Sequence, residues 1–155
     1  MEHTADLYLS DGIIRVITRG TTSIGCPVWN GPVYFLKETD SPEEIGDTAM
    51  KALGDFKEKS IPHPTTQEEW KVHGLKNKER LQLPSSWRAF LKKGAKSLLL
   101  KENKNTITII PSKNLVAANG KSGLEASFLE NKIRTCSADP EELGKAILEA
   151  FNDCE

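Results

Sequence analysis

Two helix starts of the same design, 98 residues apart, constrain this chain more than anything else in it: Ser41-Pro42-Glu43-Glu44 and Asp139-Pro140-Glu141-Glu142. Each supplies a side-chain oxygen to cap the helix, a proline at the first helical position where no N–H is needed, and carboxylates facing the positive end of the helix dipole. Losing either cap should cost about 1 kcal/mol. Ile45, Ala49, Ala52, Leu53 and Phe56 then fall on one face of the first helix, and Leu143, Ala146, Ile147, Ala150 and Phe151 with Cys154 on one face of the second. Both are expected to be amphipathic helices facing a core. Aligned without a gap, SPEEIGDTAMKALGDF and DPEELGKAILEAFNDC share Pro, Glu, Glu, Gly, Ala and Asp. Capping physics accounts for the opening positions but not for Gly46 and Gly144. A glycine inside a helix costs up to about 1 kcal/mol relative to alanine. The matched pair therefore predicts that each helix lies close against another backbone, such as that of a sheet.

Strand signals precede each helix. Residues 6–9 and 13–18 alternate around Asp11-Gly12, a two-residue hairpin signal, and 27–38 supply a further strand with Val28, Val33, Tyr34 and Phe35. Before the second helix come 97–101, 106–110, 124–128 and 132–136, with Asn103-Lys104-Asn105 and Glu130-Asn131 as turns. Ile107 and Ile109 alternate with Thr106 and Thr108, so each sheet is expected to need cover on one side. The predicted fold class is α+β: two antiparallel-sheet-plus-helix repeats, 5–59 and 96–154, joined by a helical connector, 60–95. At 155 residues the chain has the size of one domain, 1–155.

The connector has its own texture. Pro62 and Pro64 are expected to stop the first helix and extend the chain. Thr66-Gln67-Glu68-Glu69 caps a short helix carrying Trp70. Pro84-Ser85-Ser86 starts another, with Trp87, Phe90 and Leu91 on one side and Arg88, Lys92 and Lys93 on the other. Charge separates along the chain although the total is only -1. Residues 38–58 hold seven carboxylates against two lysines, a net of -5; 71–104 hold ten cations against two carboxylates, a net of +8; and 125–155 hold eight carboxylates against three cations, a net of -5. Such a chain can offer an acidic face to a basic partner or a basic face to nucleic acid.

Several function classes find no support. No apolar run approaches the roughly 20 residues of a membrane span. Glu2 and Asp6 stand where a signal peptide carries its basic residues, so a cytoplasmic start is expected. Cys26, Cys136 and Cys154 are odd in number and never in a CxxC pair, and His3, His63 and His73 lack HxxxH or HExxH spacing, so neither a disulfide framework nor a metal site is expected. Gly120-Lys121-Ser122 resembles the end of a phosphate-binding loop, but Leu115 occupies the position of its first glycine. Residues 20–25 lack GxSxG spacing. The chain is expected to have no catalytic residues and no cofactor. Trp29, Trp70 and Trp87, the latter two amid Lys and Arg, keep one binding class open, that of bases stacking on aromatic rings.

Taken together, DSPEEIGDTAMKALGDF, the Pro-containing connector, SSWRAFLKKGAKSLLLKENKNTITIIPS and DPEELGKAILEAF resemble the immunity proteins of bacterial contact-dependent growth inhibition systems over most of the chain. That resemblance implies a whirly-like fold of two strand-plus-helix repeats, and a cytoplasmic protein that binds and neutralises the C-terminal toxin domain of its cognate effector, commonly a nuclease. It carries no binding motif. The toxin-binding candidates come from charge instead: Glu38, Asp40, Glu43, Asp47, Asp55 and Glu58, placed to mimic a phosphate backbone before a basic cleft. The alternative is a single-stranded nucleic-acid-binding protein using the sheet or the basic connector, which the two acidic helices and a pI near 6.3 oppose.

Overall fold

The computed structural model describes residues 2–83, 86–114 and 126–154. Strands β1 (His3–Ser10), β2 (Ile13–Thr22) and β3 (Pro27–Lys37) lead into helix α1 (Pro42–Gly54), and β4 (Lys57–Ile61) follows. Helices α2 (Gln67–Leu81) and α3 (Trp87–Lys92) form the connector. The chain continues through β5 (Lys96–Asn103), β6 (Thr106–Asn114), β7 (Ala126–Phe128), a 3-10 turn (Glu130–Lys132), β8 (Arg134–Ser137) and helix α4 (Pro140–Asp153). The fold is α+β. All eight of these strands belong to one sheet in the order β3-β2-β1-β5-β6-β7, with β8 beside another stretch of β6 and β4 on β2. The two strand groups thus share one sheet, joined where β1 pairs antiparallel with β5.

Local chemistry sets the hairpins. Asp11 and Gly12 have φ of 53° and 75°, and Lys104 and Asn105 of 49° and 65°, the left-handed pairs that match the twist of two-residue hairpins. These turns fix the β1–β2 and β5–β6 registers, so that Ala5, Leu7, Ile14, Val16, Leu98, Leu100, Ile107 and Ile109 all point to one face. Against that face pack Ile45, Ala49, Ala52 and Leu53 of α1 and Leu143, Ile147, Ala150 and Phe151 of α4. Ser41 Oγ accepts from Glu44 N (3.2 Å), and Asp139 Oδ2 from Glu142 N (3.0 Å), as the sequence predicts.

Four expectations need correction. Gly46 and Gly144 do lie against backbone, but it is that of the opposite helix and not of the sheet: a Cβ on Gly46 would overlap the Pro140 carbonyl, and one on Gly144 the Pro42 carbonyl. Helix α1 ends at Gly54 with Asp55 as its cap, well before Pro62, and β4 pairs parallel with β2 in between. Phe56 consequently lies beyond the helix and stacks on His3 at 5.2 Å. The helix carrying Trp70 is not short, since α2 runs 15 residues and is the longest of the described helices. Finally, the sheet is covered on its second face too. Tyr8, from β1, packs with Trp87, Phe90, Leu91 and Ala95 from α3 and its exit.

Gly46→Ala and Gly144→Ala are each expected to cost about 1–3 kcal/mol or more, because the obstacle is a rigid carbonyl. Gly54→Ala, with nothing within 4 Å of the added carbon, is expected to be neutral or stabilising. Urea midpoints at constant m-value test the contrast, and equal tolerance at the three positions would remove the close crossing.

Candidate functional site

The helix crossing gathers charge that the sequence keeps apart. Gly46 against Pro140 and Gly144 against Pro42 place the first turns of α1 and α4 beside each other. Each first turn must offer carboxylates to its own dipole, so Glu43, Glu44, Glu141 and Glu142 all come to one end of the helix layer, and all are exposed. Asp47 lies one turn further along α1, also exposed. Two of these carboxylates are partly engaged: Glu141 pairs with Lys145 at 3.1 Å, and Glu142 Oε2 accepts from Ser137 Oγ at 2.6 Å. Among the described residues no ion pair engages Glu43, Glu44 or Asp47. The arrangement is an acidic pole with solvent-facing carboxylates on a rigid two-helix platform, suited to a basic partner surface.

The six candidate residues divide. Glu43 and Asp47 belong to the pole. Glu38 is exposed at the end of β3, where its N–H donates to Gly12 O (2.9 Å), and Asp40 is half-buried, its Oδ2 accepting from Lys37 N (2.9 Å) to close the turn before α1. Asp55 serves the fold itself. It caps α1, and its Oδ2 accepts from Tyr34 Oη at 2.5 Å, a bond that raises the Tyr34 pKa. Glu58 is exposed on β4. Asp55 lies about 18 Å from Glu43 at 1.5 Å rise per residue, so Asp55 and Glu58 stand at the far end of α1 from the pole. The six were drawn from the first helix and its approach, so Glu141 and Glu142, 98 residues further on, are absent from them, as is Glu44. The matched glycines were the available signal, had they been read as mutual contact between the helices.

The opposite face of the sheet carries an aromatic cluster of Tyr8, Trp29, Trp87 and Phe90. Trp29 Nε1 donates to Asp6 Oδ2 (2.6 Å), and Arg19 Nε stands 3.4 Å from the same oxygen. Tyr8 meets Trp87 edge-on at 5.1 Å and Trp29 at 6.0 Å, while Trp29 and Trp87 are 5.4 Å apart and inclined at 69°. Trp29 and Trp87 therefore anchor one another instead of standing as a row of platforms. Trp70 remains 39% exposed on α2, beside His63 and His73. Buried Arg15 holds the end of α2: its Nε donates to Leu81 O (2.8 Å), a cation at a helix C-terminus, with its guanidinium over Phe35 and Phe90.

The histidines and cysteines are dispersed. His63 Nδ1 shares a hydrogen bond with Thr22 Oγ1 (3.1 Å), and His3 sits 3.9 Å from Glu102. The three cysteines are free and half-buried, and burial pushes the Cys136 and Cys154 thiols up. Among the described residues no three His, Cys, Asp or Glu side chains gather as a metal site requires. Gly120-Lys121-Ser122 lies outside the described residues. Among those described, no helix is long and apolar enough to cross a membrane.

No protein-family model and no curated protein sequence matches the chain. Solved structures do. A protein of unknown function from Neisseria meningitidis, NMB0488, superposes with a TM-score of 0.74 at 18% identity, covering 100% of this chain and 96% of its own. A chain of the CdiA-CT/CdiI toxin and immunity complex from Yersinia pseudotuberculosis superposes with a TM-score of 0.71 at 17% identity, covering 100% and 98%. At such identities the likeness is one of fold, and it extends over essentially the whole of each chain.

Asp6 offers a test of the aromatic face. Burial raises its pKa, while Arg19 and then the Trp29 N–H pull it back. Between the ordinary carboxylate value and the raised one, the folded protein holds a proton that the unfolded chain has lost. Stability therefore falls as pH rises through that window, from about 4 upward. Asp6→Asn keeps an oxygen for the indole N–H and removes the titration. Its stability is expected to be flatter than wild type in urea melts from about pH 4 to 8, and parallel curves would show that Asp6 does not titrate there.

Proposed function

We propose that the protein is an immunity protein: a stoichiometric, non-catalytic binder that occupies and neutralises the C-terminal toxin domain, a nuclease, of a contact-dependent growth inhibition effector in the cytoplasm. The observation that carries this reading is the full-length fold likeness to a chain of a toxin and immunity complex. The acidic pole adds a chemical reason. A nuclease must hold phosphates in a cationic cleft, and a rigid set of outward carboxylates competes for the same cations. On this reading Glu43 and Asp47, with Glu44, Glu141 and Glu142, form the toxin-binding centre. Glu38 and Glu58 act as flanking charges, and Asp40 and Asp55 shape the backbone that presents them.

The test is co-expression with the C-terminal domain of the effector encoded directly upstream. Restored viability and a 1:1 complex on gel filtration are expected. Absence of both, with nucleic acid retained on the purified protein at low salt, would overturn the proposal in favour of nucleic-acid binding. Within the complex, Glu43→Lys with Asp47→Lys changes only exposed groups. It is expected to slow association about tenfold at low ionic strength and to flatten the salt dependence of the on-rate. Unchanged association would remove the acidic pole from the interface.

A further inference from the structure

Helix α2 is held differently from α1 and α4. Leu81 is its one buried residue, so no apolar face seats it, and two arginines do instead. Arg15 of β2 closes its end by donating from Nε to Leu81 O (2.8 Å). Arg80, braced by Asn77, donates from Nη1 to Gly31 O (3.0 Å) and from Nη2 to Trp29 O (3.3 Å). Both carbonyls belong to β3, which ends the sheet and, among the described residues, pairs with β2 alone. The core between the sheet and helices α1 and α4 contains no residue of α2. The helix is therefore a separable cover on the edge strand, fastened by Arg80.

His73 shares the Arg80 side of this helix, one turn before Lys76 and two turns before Arg80. With Asn30 and Pro62 these three wall a cavity of about 460 Å³ where α2 faces β3 and the segment after β4. The His73 ring meets Trp70 edge-on at 6.2 Å, and Trp70 meets His63 edge-on at 5.6 Å. His73 Nε2 is buried and has no hydrogen-bond partner among the described residues. In the neutral ring that nitrogen can be the bare acceptor, whereas in the imidazolium both nitrogens carry N–H groups, and a buried charged donor would face nothing that accepts it. The ionisable neighbours on the cavity wall all come from α2: the cations Lys76 and Arg80, and the carboxylates Glu69 and Glu79. Glu69 is already engaged, its Oε2 accepting from Thr65 N at 2.7 Å. Asn30 of β3 and Ile61, Pro62 and Pro64 of the β4 exit bring no charge, and His63 lies beyond the Trp70 ring. Burial lowers the His73 pKa, and Arg80 and then Lys76 lower it further.

We infer that His73 makes α2 a pH-operated strap, docked on the edge strand β3 while the imidazole is neutral and released when it takes up a proton, with Arg80 leaving the carbonyls of Trp29 and Gly31. In the released helix the imidazole returns to its ordinary value of about 6.5. The docked form holds the proton less tightly than the released form. Docking is therefore at full strength above about pH 6.5 and weakens as pH falls below it. Release leaves the core intact and uncovers the stretch of sheet edge around Trp29 and Gly31. The strap does not depend on the toxin reading.

Amide hydrogen exchange of α2, followed by mass spectrometry on the full chain and divided by the intrinsic rate at each pH, tests this with α4 as internal reference. Between about pH 7.5 and about pH 5.5 wild-type α2 is expected to lose about fivefold in protection while α4 holds its own. His73→Gln, which cannot take up the proton, is expected to keep α2 protected at both values. Arg80→Gln is expected to leave α2 unprotected at both, with α4 unchanged. His63→Gln is expected to show the wild-type fall; its loss in that variant would move the titration to His63 and overturn the assignment. Constant protection in wild type, an equal fall in His73→Gln, or an α2 that is already unprotected in wild type at about pH 7.5 would each overturn the strap. Full protection in Arg80→Gln would remove Arg80 as its fastening and overturn it as well.

Discussion

The rest of the molecule depends on the contact between two helix backbones. Where α1 and α4 cross, Gly46 meets the Pro140 carbonyl and Gly144 the Pro42 carbonyl, an approach closer than any side chain permits. Two helices joined so tightly act as one roof, and one roof calls for one sheet beneath it. That is why Leu7 and Val16 share a core with Leu98 and Ile109 instead of forming two small cores. The size of the chain supports this solution. Two separate half-size domains would each bury a smaller fraction of their surface than one domain of 155 residues does.

The same crossing gives the molecule its electrostatic character. Carboxylates in a first helical turn are ordinary, and a single pair on a single helix would be weak evidence for anything. Bringing two such turns together concentrates Glu43, Glu44, Glu141 and Glu142 at one pole, while the basic connector is carried to the other face of the sheet. The sheet thereby separates an acidic surface built on rigid helices from an aromatic, basic-rimmed surface built on a lightly held one. Arg15 is central to the second surface. Its buried guanidinium closes the end of α2 against the strands and so positions the only part of that helix that enters the core.

Much of this was legible in the residues. The hairpins at Asp11-Gly12 and Lys104-Asn105, the caps at Ser41 and Asp139, and the inward faces of α1 and α4 are decided by local backbone preferences and by apolar spacing, so a linear reading finds them. Strand β4 escaped such a reading because KEKSI has no alternating apolar pattern. Its place on β2 comes from a parallel ladder with Gly20 and Thr22, which is a long-range pairing. In the sequence Asp55 is one of six candidate toxin-binding carboxylates, and its bond to Tyr34 is visible only with the β3–α1 packing.

By itself the sequence determined where most of the elements begin and end, which faces are apolar, and that charge is divided into acidic ends and a basic middle, since each of these is set by neighbours within a turn or a strand. Tertiary structure alone decided which acidic groups stand together, that Tyr8, Trp29 and Trp87 wall one cavity, and that Asp6 becomes a half-buried carboxylate bonded to Trp29. These are contacts between residues far apart along the chain. No local preference encodes such contacts; they follow from how two hairpin registers and one glycine crossing close the chain upon itself.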